Sequence, residues 1–158
     1  MLKILKLLFL ITGMGVVLLL SVTVYGQSQN KYKHGMGVVD CINGTFTSIG
    51  EPDPKKNSVH EGKHMTWYFF GEENTDVAVI FGTKTDYPDC KGTSPTGEPS
   101  LTDTIGSSGE ESVKSKAVKT GMSGSSGECY AYTITCKPKA YTDHSHDKSI
   151  DPIIDVPK

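Results

Sequence analysis

The chain has 158 residues, 18 of them acidic, and its 16 basic residues are all lysine, for a formal charge of −2. Base readout and bidentate phosphate grip lean on the guanidinium group, so an arginine-free, mildly acidic chain is a poor partner for nucleic acid. After its first 26 residues the chain is one domain's length, enough for a modest core.

Lys3 and Lys6 stand among apolar residues, and residues 7–24 follow without a charge. A cationic start before an apolar run is the layout of a secretory signal. Residues 1–26 are therefore expected to be a signal peptide cut after Gly26. The run is also long enough to span a bilayer, so the alternative is an uncleaved anchor with the rest of the chain outside. A membrane enters only through that segment. No cysteine lies near the cut, which argues against a lipid-modified start. Removing Lys3 and Lys6 takes the formal charge from −2 to −4. The expected address is secreted or periplasmic.

Residues 27–158 show short β-prone runs separated by Gly, Pro, Asn and Asp, the pattern of a sandwich or barrel. Residues 35–41 and 45–49 read as the first two strands. Residues 51–57, with Pro52 and Pro54, read as a turn. In residues 63–70 strict alternation puts Met65, Trp67 and Phe69 on one face. Trp67, with Tyr130 and Tyr132 further on, is expected in the core. Residues 76–81 are apolar on both sides, as in a strand covered on both faces. Residues 91–128 hold no aromatic side chain and are rich in Gly, Ser and Thr, so a flexible excursion is expected there, with an edge strand over 112–119. Residues 129–136 alternate again, with Tyr130, Tyr132, Ile134 and Cys136 sharing a face. Residues 141–148 form a polar loop carrying His144 and His146, and residues 150–156 form a last strand.

The four cysteines are Cys41, Cys90, Cys129 and Cys136, with spacings of 49, 39 and 7. An even count in an exported chain reads as two disulfides. A four-thiolate zinc site needs close pairs that are not there. An extended 129–136 segment is about 23 Å long at roughly 3.3 Å per residue. A disulfide needs Cα atoms within about 7 Å. Cys129 therefore does not pair with Cys136, and two connectivities remain.

Gly62-Lys-His-Met-Thr-Trp67 resembles the G-(D/E)-x-V-x-W strand of cupredoxin-like domains. The apolar strand that follows the Gly71–Asn74 turn continues the likeness. Tyr130-Ala-Tyr-Thr-Ile134, and then Asp151-Pro-Ile-Ile-Asp-Val156, are similar to the tail of small exported plastocyanin-like bacterial proteins of unassigned role. The resemblance implies an all-β, antiparallel Greek-key β-sandwich of about seven strands. It also implies a choice between the two connectivities, pairing Cys41 with Cys136 and Cys90 with Cys129.

A type 1 copper centre in that family takes a thiolate, two imidazoles and a weak axial ligand. Cys136 stands where the thiolate would be, but Thr75 or Asp76 holds the first His position, His144 comes eight residues after Cys136, and no Met follows. The expectation is a module without cofactor. The copper alternative, in electron transfer or copper handling, would draw on Cys136, His144, His146 and one of His60 and His64. His144-Ser-His146 is also a candidate divalent site, flanked by Asp143 and Asp147. No G-x-S-x-G elbow and no phosphate loop is present, so no catalytic residue is assigned. Asn43-Gly-Thr45 fits a glycosylation sequon in a eukaryotic secretory route. The expected function is a non-catalytic binding or structural module, its ligand left open. An immunoglobulin-like adhesion or envelope module shares the same chemistry.

Overall fold

The computed structural model describes residues 35–158 apart from Pro52. The expected signal peptide and His34 lie outside the described residues. Ten strands form two packed sheets, and no helix is present among the described residues. They are β1 (Met36–Asp40), β2 (Thr45–Ser48), β3 (Lys56–Ser58), β4 (His64–Phe70), β5 (Thr75–Phe81), β6 (Ser100–Thr104), β7 (Glu110–Ala117), β8 (Glu128–Pro138), β9 (Lys148–Ile150) and β10 (Ile153–Val156). One sheet runs β2-β1-β4-β7; the other runs β3-β10-β8-β5-β6, with β9 also on β8.

The all-β sandwich is as expected, with more strands and a mixed pairing. After the β1–β2 hairpin the chain crosses to the second sheet for β3, then returns to lay β4 beside β1. That crossing makes β1–β4 parallel, and β3–β10 is parallel too. The 51–57 turn thus ends in a short strand, held to β10 by the Lys56–Asp155 ion pair.

The core lies between the sheets. Met65, Trp67 and Phe69 from β4 meet Tyr130, Tyr132, Ile134 and Cys136 from β8, all fully buried. These are the two faces that alternation predicts. Gly37 is required where it is: a Cβ there would fall 2.3 Å from the Phe46 ring that packs across β1.

Three expectations are corrected. β5 is covered on one face only: Val77, Val79 and Phe81 point inward, while Ile80 is 43% exposed. Its apolar outer residues are small or sit at the rim, so hydropathy alone overstated the cover. Residues 91–128 carry two strands rather than one: β7 is the expected edge strand, over Glu110–Ala117, and β6, Ser100–Thr104, is a second at the edge of the other sheet. An edge strand with one partner needs few apolar residues. The last strand is split in two. β9 and β10 keep one register on β8, through Ile134↔Ile150 and Ala131↔Ile153. Pro152 interrupts the ladder because it has no N–H to give, although its carbonyl still accepts from Tyr132 N–H at 3.3 Å.

Candidate functional site

Strand directions bring the ends of β1, β4 and β8 and the starts of β5 and β9 to one pole of the sandwich. Cys41 and Cys136 are bonded there, Cα atoms 5.6 Å apart, and both are buried. Cys90 and Cys129 form the second disulfide, Cα atoms 4.8 Å apart. These are the two pairs that the resemblance implies. Cys41 N–H donates to Phe70 O at 2.8 Å, so the bridge sits where β1 and β4 end together. Gly71 makes room for it: a Cβ there would stand 2.9 Å from the Cys41 Cβ.

Three turns surround the bridge. In the β1–β2 turn Asp40 Oδ1 accepts from Ile42 N–H at 2.9 Å and Asn43 N–H at 3.0 Å, and Asp40 Oδ2 accepts from Asn43 Nδ2 at 2.7 Å. The Asn43 amide, with these N–H groups, holds the Asp40 carboxyl below the usual carboxylate range. The sequon residue Asn43 is exposed on this turn, and its neighbour Ile42 is 62% exposed. In the β4–β5 turn Thr75 is fully buried and its hydroxyl donates to Glu72 O at 2.8 Å.

The third turn holds the candidate histidines. His144 lies 3.2 Å from Asp147 Oδ2 through Nδ1, at a φ of 58°. His146 stacks on Tyr141, ring centroids 3.7 Å apart and 18° from parallel. Asp143 Oδ1 accepts from Ser145 N–H and Oγ–H at 3.1 and 2.8 Å. Asp143 is thus engaged by Ser145, His144 by Asp147, and the His146 ring by Tyr141, all within the loop. A recess of about 40 Å³ is lined by Cys41, Ile42, Thr75, Pro138, His146 and Lys148, with Glu72 at its side. Liquid water takes about 30 Å³ per molecule, so this recess has room for little more than water.

The residues named for copper do not meet. His64 opens β4 and His60 precedes it, at the pole opposite Cys136. His64 Nδ1 lies 2.9 Å from Ser115 O, beside the bulge where Met65 N–H donates to Ser115 Oγ at 3.0 Å. Cys136 has no thiolate while it is bonded to Cys41. No group of three or more His, Cys, Asp or Glu side chains among the described residues is placed to hold a metal. The donor set of a type 1 centre therefore does not fit this pole.

Two features escaped the sequence. A hollow of about 400 Å³ lies on the outer face of β5, β6 and β8, over Ala78, between Thr102, Thr104, Thr135 and Lys137. Alternation on β8 and β5 could have shown these small outward residues side by side. Asn57, in the middle of β3, is fully buried with neither amide atom hydrogen-bonded. Nothing in Lys-Asn-Ser marks a buried position.

At the rim of the hollow Asp76 Oδ1 accepts from Lys139 Nζ at 2.8 Å and Thr104 Oγ1 at 2.7 Å. Lys139 first, then Thr104, holds the Asp76 carboxyl below its ordinary value. A carboxyl depressed on folding adds stability above its unfolded pKa of about 4, and that stability is lost as pH falls through the folded value. Asp76→Asn is therefore expected to flatten the acid limb of a melting-temperature profile below about pH 4. The group is half-exposed, so the change is modest. An unchanged acid limb in the variant would rule this account out.

No family model matches the chain, and no curated protein does. Two solved structures show a distant likeness. One is the ASH/PapD-like domain 7 of human CEP192, at 10% identity over 66% of this chain and 80% of that one, with a TM-score of 0.36. The other is dithionite-reduced auracyanin from Roseiflexus castenholzii, at 15% identity over 78% and 95%, with a TM-score of 0.38.

Proposed function

We propose that this chain is an exported, non-catalytic β-sandwich module with a binding or structural role, clamped by two disulfides. The observation that carries the reading is the bond between Cys41 and Cys136 at the pole where the resemblance would put metal chemistry. A disulfide there does the holding that a metal would do, and persists only where the surroundings are oxidising. The same bond, together with the cationic-then-apolar layout of residues 1–26, supports the exported reading.

Cu(II) titration of the protein with both disulfides intact tests the reading. The expected spectrum has no intense thiolate-to-copper band in the visible. The expected affinity is weak and unchanged, within a factor of about two, in His144→Ala and His146→Ala. An intense band, or tight copper binding lost in either variant, would replace this reading with the copper one.

A further inference from the structure

Five strands have a partner strand on one side only, β2, β3, β6, β7 and the three-residue β9, and they differ in how their outward main-chain groups are used. An edge left open is a template for another strand, and proteins blunt it with charges, caps or shortness. β7 pairs with β4 so that Gly109 O receives Gly71 N–H, which turns the N–H groups of Glu110, Ser112 and Lys114 away from β4. Glu110 N–H donates to Ser108 Oγ at 3.3 Å, Ser112 N–H to Glu111 Oε1 at 2.8 Å, and Lys116 N–H to Glu98 Oε2 at 2.7 Å. The β7 edge is thus capped at Glu110, Ser112 and Lys116, and Lys114 and Lys116 add the charges that blunt an edge. β2 and β3 have four and three residues, and main-chain carbonyls cap Ser48 N–H and Lys56 N–H.

β6 is the exception. Its ladder to β5 is flanked by Phe81 N–H on Pro99 O at 3.0 Å and Ile105 N–H on Thr75 O at 2.9 Å. The bonded residues are therefore the odd-numbered ones, and Ser100, Thr102 and Thr104 turn N–H and C=O outward. Asp103 Oδ1 caps Thr104 N–H at 2.8 Å, while no side chain among the described residues caps Ser100 or Thr102 in this way. The strand holds no lysine, no proline and no bulge, and Thr102 and Asp103 are both exposed.

We infer that β6 is a dimerisation edge, where a second copy of this chain adds its own β6 antiparallel about a two-fold axis at Thr102. In that register Thr102 faces Thr102 of the second copy and Ser100 faces Thr104. Thr–Thr and Ser–Thr pairs are favourable opposite each other in antiparallel sheets. Asp103 falls opposite Leu101, so no like charges oppose. Every outward N–H and C=O of the strand gains a partner once Thr104 N–H leaves Asp103. This self-complementarity selects a second copy over a foreign strand, and the two-fold closes the contact at a dimer.

Sedimentation velocity over a wide concentration range tests it on the protein with intact disulfides. The expected mass rises from one chain to two with concentration. Thr102→Pro removes an outward N–H that β5 does not use, and Thr102→Lys places two ammonium groups face to face at the axis. Both variants are expected to stay single at every concentration, with the melting temperature of the dilute, single-chain wild type. Should Thr102→Pro fail to fold, Thr102→Lys decides alone. Lys114→Thr, on the β7 edge, is expected to dimerise as the wild type does. The inference is overturned if the wild type stays single at the highest concentration, if a folded Thr102 variant dimerises normally, or if Lys114→Thr alone abolishes the dimer.

Discussion

Replacing Cys41 and Cys136 together by alanine is expected to cost the domain about 4–5 kcal/mol. The bridge closes a sequence separation of 95 residues. Because Cys90–Cys129 shortcuts that segment, the loop left for Cys41–Cys136 to close is about 57 residues, worth roughly 4.2 kcal/mol in the chain-entropy account, against about 3.9 for the separation of 39 that Cys90 and Cys129 close. Burial widens the gap. Cys41 and Cys136 lie in the core cluster, whereas Cys90 and Cys129 are only half-buried, so alanine leaves a void at the first site alone. Total stabilities of single domains are about 5–15 kcal/mol, so the first double variant would be marginal or unfolded at 37 °C. Its melting temperature should fall by on the order of 15 °C, and that of Cys90→Ala/Cys129→Ala by less. Denaturant melts of the two variants check this. A loss under about 1 kcal/mol for the Cys41 pair, or a larger loss for the Cys90 pair, would contradict the clamp.

The sequence made the sandwich core readable because β4 and β8 carry large side chains at alternate positions, although Ala131, between two of them, is buried as well. Met65-Thr-Trp67-Tyr-Phe69 and Tyr130-Ala-Tyr132-Thr-Ile134 each place large side chains on every second residue, and those side chains are the buried ones. What could not be read is what depends on neighbours rather than on the segment itself. β6, as Ser-Leu-Thr-Asp-Thr, has no alternation to find, because none of its side chains is buried on either face and main-chain bonds to β5 hold it in place. Ile80 looked buried by composition and is exposed because no third layer covers β5. At the candidate site, residue types pointed to His144 and His146 as a pair. Their orientation is set by Asp147 and Tyr141, a side-chain competition that spacing does not encode. His60 and His64 were plausible ligands only until strand direction sent them to the far pole.

Trp67→Ala is expected to cost about 3–5 kcal/mol, the range for deleting a fully buried large aromatic. Trp67 is the chain's single tryptophan, and it sits at the centre of the inter-sheet cluster. Its ring meets Tyr132 edge-on at 5.8 Å, and Tyr132 in turn packs on Phe81 at 5.7 Å and Phe46 at 6.5 Å. One polar contact crosses this apolar cluster: Trp67 Nε1–H donates to Tyr132 Oη at 3.3 Å. Burial pushes the Tyr132 phenol well above the ordinary tyrosine range, with the indole N–H working in the opposite sense. The phenol is therefore held in its neutral form, and in this contact it accepts from the indole. Tyr132→Phe removes only that acceptor and strands the indole N–H in the core, at a cost of about 1–3 kcal/mol. Trp67→Phe strands the hydroxyl instead, while Trp67→Phe/Tyr132→Phe removes both polar atoms. The double variant is accordingly expected to be less destabilised than the sum of the singles by about 1 kcal/mol or more. Circular dichroism melts give the cycle. In the variants that keep Trp67, its emission reports the same transition from inside the core. Strict additivity would mean that the indole and the phenol contribute by bulk alone, and that the contact between them holds nothing in register.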